Sequence, residues 1–153
     1  MTDDTPRLSM VDISGKPATA RRAVAEARVT VSAATADRIR AGTVPKGDPL
    51  AVARLAGIQA AKRTAELLPL CHPLPIDHIA VDAALDGATV TITAAVSTRA
   101  ATGPEMEALT AAACAALTVY DLCKGLQPDI VIGPVRLLEK EGGKSGHWTR
   151  DGA

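Results

Sequence analysis

The sequence predicts an α+β domain of βαββαβ order, with helices packed on one face of an antiparallel sheet. Two observations carry this. Stretches of strict apolar–polar alternation interleave with stretches of three- and four-residue apolar spacing, in the order strand, helix, helix, hairpin, helix, strand. Asp86-Gly87 separates two β-rich runs, which is the turn signature of a hairpin.

Taken in order, Ala23, Ala25, Ala27, Val29 and Val31 face one way, and Arg22, Glu26, Arg28 and Thr30 face the other, as in a half-buried strand. Residues 32–41 read as a short helix closed by Gly42. After the loop Thr43-Val44-Pro45-Lys46-Gly47, Asp48 caps a second helix. Pro49 takes its first position, where a missing amide costs nothing. That helix runs through Leu50, Leu55, Ile58 and Leu67 and stops before Pro69. Pro69, Pro73 and Pro75 make the following connection stiff and extended. Strands are expected at 76–85 and 89–97. Thr102 and Glu105 have capping-box spacing and open a helix that runs to about Lys124 and ends at Gly125. Residues 130–132 and 135–138 are strand material. The expected organisation is a flexible tail over 1–10, one ferredoxin-like domain over 11–140, and a mobile Gly-rich tail over 141–153.

The composition narrows function. Seventeen basic residues balance seventeen acidic ones, and the only aromatics are one Trp and one Tyr. An RNA-binding sheet needs aromatic platforms and a basic face, so that class is excluded. A local cluster of cations for a small anion stays open. Three cysteines with no CxxC pair argue for a reducing compartment. No secretory signal and no long apolar run is read, so a cytoplasmic protein without a membrane segment is expected.

Along the long helix, Met106, Leu109, Ala113, Leu117 and Tyr120 read as the core face. Glu107, Cys114 and Asp121 share another, with Lys124 three residues after Asp121. Glu107 and Asp121 stand roughly 21 Å apart along an α-helix. They contact either opposite ends of a large substrate or two sites completed by neighbouring subunits; the second is favoured. By spacing alone, Asp121 and Lys124 are an ordinary exposed ion pair, and Cys71-His72 falls short of the three or four ligands zinc requires. No metal site is expected. His78 and His147 show no ligand spacing.

Whole strings change that reading. MVDISGK (10–16), AGIQAAKRT (56–64), LPLCHPLP (68–75), EMEALTAA (105–112), YDLCK (120–124), VIGPVRLLEK (131–140) and GGKSG (142–146) resemble the MoaC family of cyclic pyranopterin monophosphate synthases, in order and spacing. The resemblance implies a ferredoxin-like fold and a homohexamer, a trimer of dimers with active sites at subunit interfaces. It implies a lyase that converts 3′,8-cyclo-7,8-dihydro-GTP to cyclic pyranopterin monophosphate, releasing pyrophosphate, in molybdenum-cofactor biosynthesis. Asp121 would be the catalytic acid/base, with Lys46 and Lys124 beside it. Leu70, Cys71, His72, Met106 and Glu107 would line the substrate pocket. Glu105, Arg21, Lys62, Lys140 and Lys144 would fall at further binding positions. Position 101 is Ala where the family often has Lys, and Arg21 is followed by a second arginine.

A triphosphate explains the cations, which hold it and stabilise the departing pyrophosphate. A lysine crowded by other cations is expected to have a lowered pKa and to shuttle protons. No resident cofactor is expected, with Mg²⁺ left open as a companion of the triphosphate. The alternative is a catalytically inactive scaffold of the same pathway; retention of Asp121, Lys46, Lys124 and His72 together argues against it.

Overall fold

A computed structural model describes residues 8–152. Its elements are β1 (Thr19–Thr30), α1 (Ala33–Arg40), α2 (Pro49–Ala61), α3 (Thr64–Leu67), β2 (Ile76–Asp86), β3 (Thr89–Ala100), α4 (Glu105–Cys123), β4 (Val131–Glu141) and β5 (Trp148–Thr149). The antiparallel sheet has the order β2-β3-β1-β4-β5, the expected ferredoxin-like arrangement with one added edge strand. Residues 1–7 of the expected N-terminal tail lie outside the described residues.

The alternation read in β1 sets the core. Ala23, Ala25, Ala27 and Val29 are fully buried, as are Val90, Ile92, Ala94 and Val96 of β3. They lie on one face of the sheet, under α4. Ala25 pairs with Ala94 and Ala27 with Ile92, so small and large side chains alternate under the helix. Gly87 closes the β2–β3 hairpin with a left-handed φ of 56°, as Asp-Gly turns require. Ser32 and Asp48 cap α1 and α2, accepting from Thr35 N and from Leu50 N and Ala51 N. At Gly57, α2 passes so close to α4 that a Cβ would meet Val81 Cγ1 at 3.0 Å and the Ala111 carbonyl at 3.1 Å.

Several expectations need correction. The second helix does not run unbroken to Leu67: α2 ends at Ala61, and Thr64 turns its hydroxyl onto the Ala60 and Ala61 carbonyls, starting α3. The Thr102–Glu105 capping box does not form. Pro104 is the N-cap without a side-chain bond, and the Glu105 carboxylate is held instead by Lys140. Only part of the expected stripe joins the core: Leu109 and Tyr120 pack against it, but the buried face is mostly alanine. Ala108, Ala111, Ala112, Ala115, Ala116 and Val119 are buried, while Met106 is 40% and Leu117 60% exposed. Alanines bring the helix close to the sheet and to α2, and bulk has no room there. Glu107 lies on that buried side. The last strand is continuous through Gly133-Pro134, and β5 pairs Trp148 with Lys140. By length and composition α4 would suit a membrane span, contrary to the expectation. Half of that window is buried in this fold, so it serves as the core helix.

Candidate active site

The two ends of α4 carry different chemistry. At the C-terminal end, Asp121 is held between two lysines. Lys46 Nζ lies 3.0 Å from Oδ2, 3.1 Å from Oδ1 and 3.1 Å from the Asp121 carbonyl oxygen. Lys124 Nζ lies 2.8 Å from Oδ1. Lys46 arrives there because Val44 is buried, Gly47 N bonds back to Val44 O, and Asp48 anchors the loop to α2. All three side chains are about half exposed, so the cluster adds little to stability.

Hydrogen bonds from Lys124 and then Lys46 push the Asp121 carboxyl below the usual carboxylate range. The same contact raises Lys124 above the usual lysine range. This corrects the expectation of a lysine with a lowered pKa: Lys124 faces a carboxylate, not a crowd of cations. Near neutrality Asp121 is ionised and accepts from both lysines.

At the N-terminal end of α4 a cavity of about 690 Å³ opens between the 68–74 connection and the 102–106 turn. Leu70, Cys71, His72, Glu105 and Met106 line it, together with Lys16 and Thr102. The stiff connection is fixed by the Thr98 hydroxyl, which donates to the Pro75 carbonyl at 2.6 Å, and by Cys71 N, which bonds to Leu68 O. Burial, and then the charge of Glu107, push the Cys71 thiol up, so it is not an activated nucleophile.

A second cavity of about 370 Å³ shares Lys16 and Thr102 with the first and adds Arg21 and Lys144. Arg21 rather than Arg22 faces it: Arg21 Nε donates to Ala100 O at 3.0 Å, while Arg22 pairs with Glu139. Gly142 and Gly143 have left-handed φ angles, and a Cβ on either would run into Arg21. Lys140 reaches this region through Glu105, 3.2 Å away.

Two expected residues fall elsewhere. Glu107 is only 2% exposed and lies outside the cavity lining, with Oε2 unpartnered among the described residues. Burial raises its carboxyl above the ordinary range. Lys62 lines a separate depression with Asp77 and His78. Lys16 was missed, although it ends the MVDISGK string; a lysine closing a motif beside the strand that carries Arg21 was the available signal. His147, which shows no ligand spacing in sequence, is brought with Glu139 and Glu141 to where their ligand atoms lie within 4.8 Å of one another. Arg22 and His147 already engage Glu139 there.

A lysine-flanked carboxylate and a cation-lined cavity, on a ferredoxin-like scaffold without aromatic platforms, define an enzyme for a small polyanionic substrate. Residues 10–143 match the family described as the MoaC family, and the chain belongs to it. It is 55% identical to a cyclic pyranopterin monophosphate synthase of Geobacter sulfurreducens, covering 97% of this chain and 94% of that one. Against the protein of that name from Roseiflexus sp. strain RS-1 it is 52% identical, covering 97% and 96%.

Proposed function

We propose that this chain is a lyase of molybdenum-cofactor biosynthesis. It converts 3′,8-cyclo-7,8-dihydro-GTP to cyclic pyranopterin monophosphate and pyrophosphate; the name of its relatives gives the product. The observation that carries the reading is the Asp121 carboxylate held between Lys46 and Lys124 in a chain 52% and 55% identical to proteins of that name.

In this reading Lys16, Arg21 and Lys144 hold the triphosphate, and Leu70, Cys71, His72 and Met106 hold the purine-derived ring. A sugar hydroxyl attacks the innermost phosphorus; its O–H proton passes to Asp121 and the bond to the departing pyrophosphate breaks. Lys46 and Lys124 stabilise the charge that develops. Asp121 also serves the proton transfers of ring cleavage and reclosure. The conversion is redox-neutral, so the reading assigns it no flavin, nicotinamide or iron–sulfur group; Mg²⁺ enters only as a companion of the triphosphate.

The cavity and Asp121 lie at opposite ends of α4, which favours an oligomer with sites shared between subunits; the trimer of dimers is what the family resemblance implies, and a cytoplasmic location is part of the same reading. Incubation with the cyclised GTP and assay of pyrophosphate and pterin tests the activity. Equal yields of both are expected; neither product from a folded protein would favour the scaffold alternative.

A further inference from the structure

The pairing of β4 with β5 gathers three metal-ligating side chains that sequence spacing keeps apart. Glu139 pairs with Thr149 and Lys140 with Trp148 in antiparallel register, so the next step of the ribbon brings His147 opposite Glu141. Alternation along each strand then puts Glu139, Glu141 and His147 on one side. Lys140 points to the other side, where it meets Glu105, and Arg150 shares that side with the Trp148 ring, 5.7 Å from its centroid. One donor atom from each of the three lies within 4.8 Å of the other two, and His147 Nε2 is 3.1 Å from Glu139 Oε1.

We propose that Glu139, Glu141 and His147 form a site for a first-row divalent ion of the Zn²⁺ type, which clasps the two ends of the loop 142–146. The imidazole, supplied from a different strand, separates this cluster from an acidic patch. One nitrogen and two carboxylate oxygens suit such an ion, whereas Mg²⁺ and Ca²⁺ take oxygen ligands. Tetrahedral bonds of about 2.0–2.1 Å set donors roughly 3.4 Å apart, so rotation of exposed side chains closes the site. Arg22 pairs with Glu139 at 3.5 Å, while Glu141 makes no ion pair among the described residues. Glu141 also borders a depression of about 450 Å³, which has room for the water that completes a three-ligand site.

The loop gives the ion its role. Gly142, Gly143 and Gly146 have left-handed φ angles, and β5 is only two residues long. Beyond its two residue pairs, β5 is tied to β4 by Arg150, which donates to the Leu137 and Leu138 carbonyls. A ribbon this short is weakly held by itself. Gly143, Lys144 and Ser145 of the loop border the second cavity. An ion that joins Glu139 and Glu141 to His147 closes the loop at its base and holds Lys144 beside that cavity.

Co²⁺ is titrated into the reduced full chain and followed by its visible absorption. One equivalent is expected to bind, without a sulfur-to-cobalt charge-transfer band, and to be displaced by Zn²⁺. His147→Ala and Glu141→Gln, both at exposed positions, should each weaken binding at least about tenfold, since loss of an outer partner alone costs that much. Arg22→Gln frees Glu139 and should tighten it. Cleavage by trypsin after Lys144 reads the clasp: Co²⁺ should slow it at least about tenfold in the wild type and leave it unchanged in Glu141→Gln. A charge-transfer band, or binding indifferent to both substitutions, would put the ion on other ligands and overturn the site. Binding that both substitutions weaken, with cleavage unslowed, would overturn the clasp. No binding at millimolar Co²⁺ would overturn both. None of these readouts needs turnover, so they stand or fall apart from the proposed activity.

Discussion

Lys46 Nζ sits 3.0 Å from Asp121 Oδ2 across 75 residues of chain. This contact joins the loop before α2 to the last turn of α4, and it adds little to stability, since both groups are half exposed. Lys124 approaches the same carboxylate from its own helix. Asp121 is thereby kept ionised and oriented.

Removing a lysine should raise the Asp121 pKa. Lys124 is the larger cause of its depression and Lys46 the smaller, so Lys124→Gln should move it further than Lys46→Gln. Carboxyl-carbon NMR across the acid range checks this. Equal shifts, or none, would contradict the assignment.

Glu107 should show the opposite sign. Its carboxyl is raised by burial, so its contribution to stability is greatest below the ordinary carboxylate range. That contribution is lost as pH climbs through the raised folded-state value. Glu107→Gln should stabilise the protein at neutral pH by about 1 kcal/mol, or roughly 2–4 °C in Tm, and should change nothing in acid. Thermal melts at several pH values read this directly.

Gly143→Ala should displace Arg21, which occupies the space a Cβ would take. A loss of about tenfold in kcat/KM is expected, as for one charge-assisted bond. Arg21→Ala should give a similar loss, and the double variant should be no worse than the more impaired single one. Additive losses would separate the two residues.

Gly57→Ala weighs two effects. Helix propensity favours Ala by about 1 kcal/mol, while overpacking costs about 1–3 kcal/mol. Val81 can rotate away, but the Ala111 carbonyl is backbone and cannot. The net result should be a fall in Tm, measured by calorimetry.

The parts of the fold that announce themselves locally were legible. Asp48-Pro49 starts α2, Asp86-Gly87 turns the hairpin, and the alternation of β1 marks its buried face. The buried face of α4 was not legible from bulk, because alanines line most of it while Met106 and Leu117 point out. The break at Lys62 depends on the Thr64 hydroxyl, and β5 depends on pairing with β4, neither of which leaves a periodic signal. Of the candidate site, the strings named Asp121, Lys124 and Leu70–His72, which lie at the lysine-flanked carboxylate and on the cavity wall. Spacing could not show that Lys46 reaches Asp121, that Lys16 joins the two cavities, or that Glu107 is buried.

The most direct test compares pyrophosphate release from the cyclised GTP by the wild type and by Asp121→Asn. Asn keeps the shape and removes the base, so turnover should fall by about 10²–10⁴-fold with the fold and assembly unchanged. Undiminished release by the variant would contradict the role of Asp121, and with it the central claim.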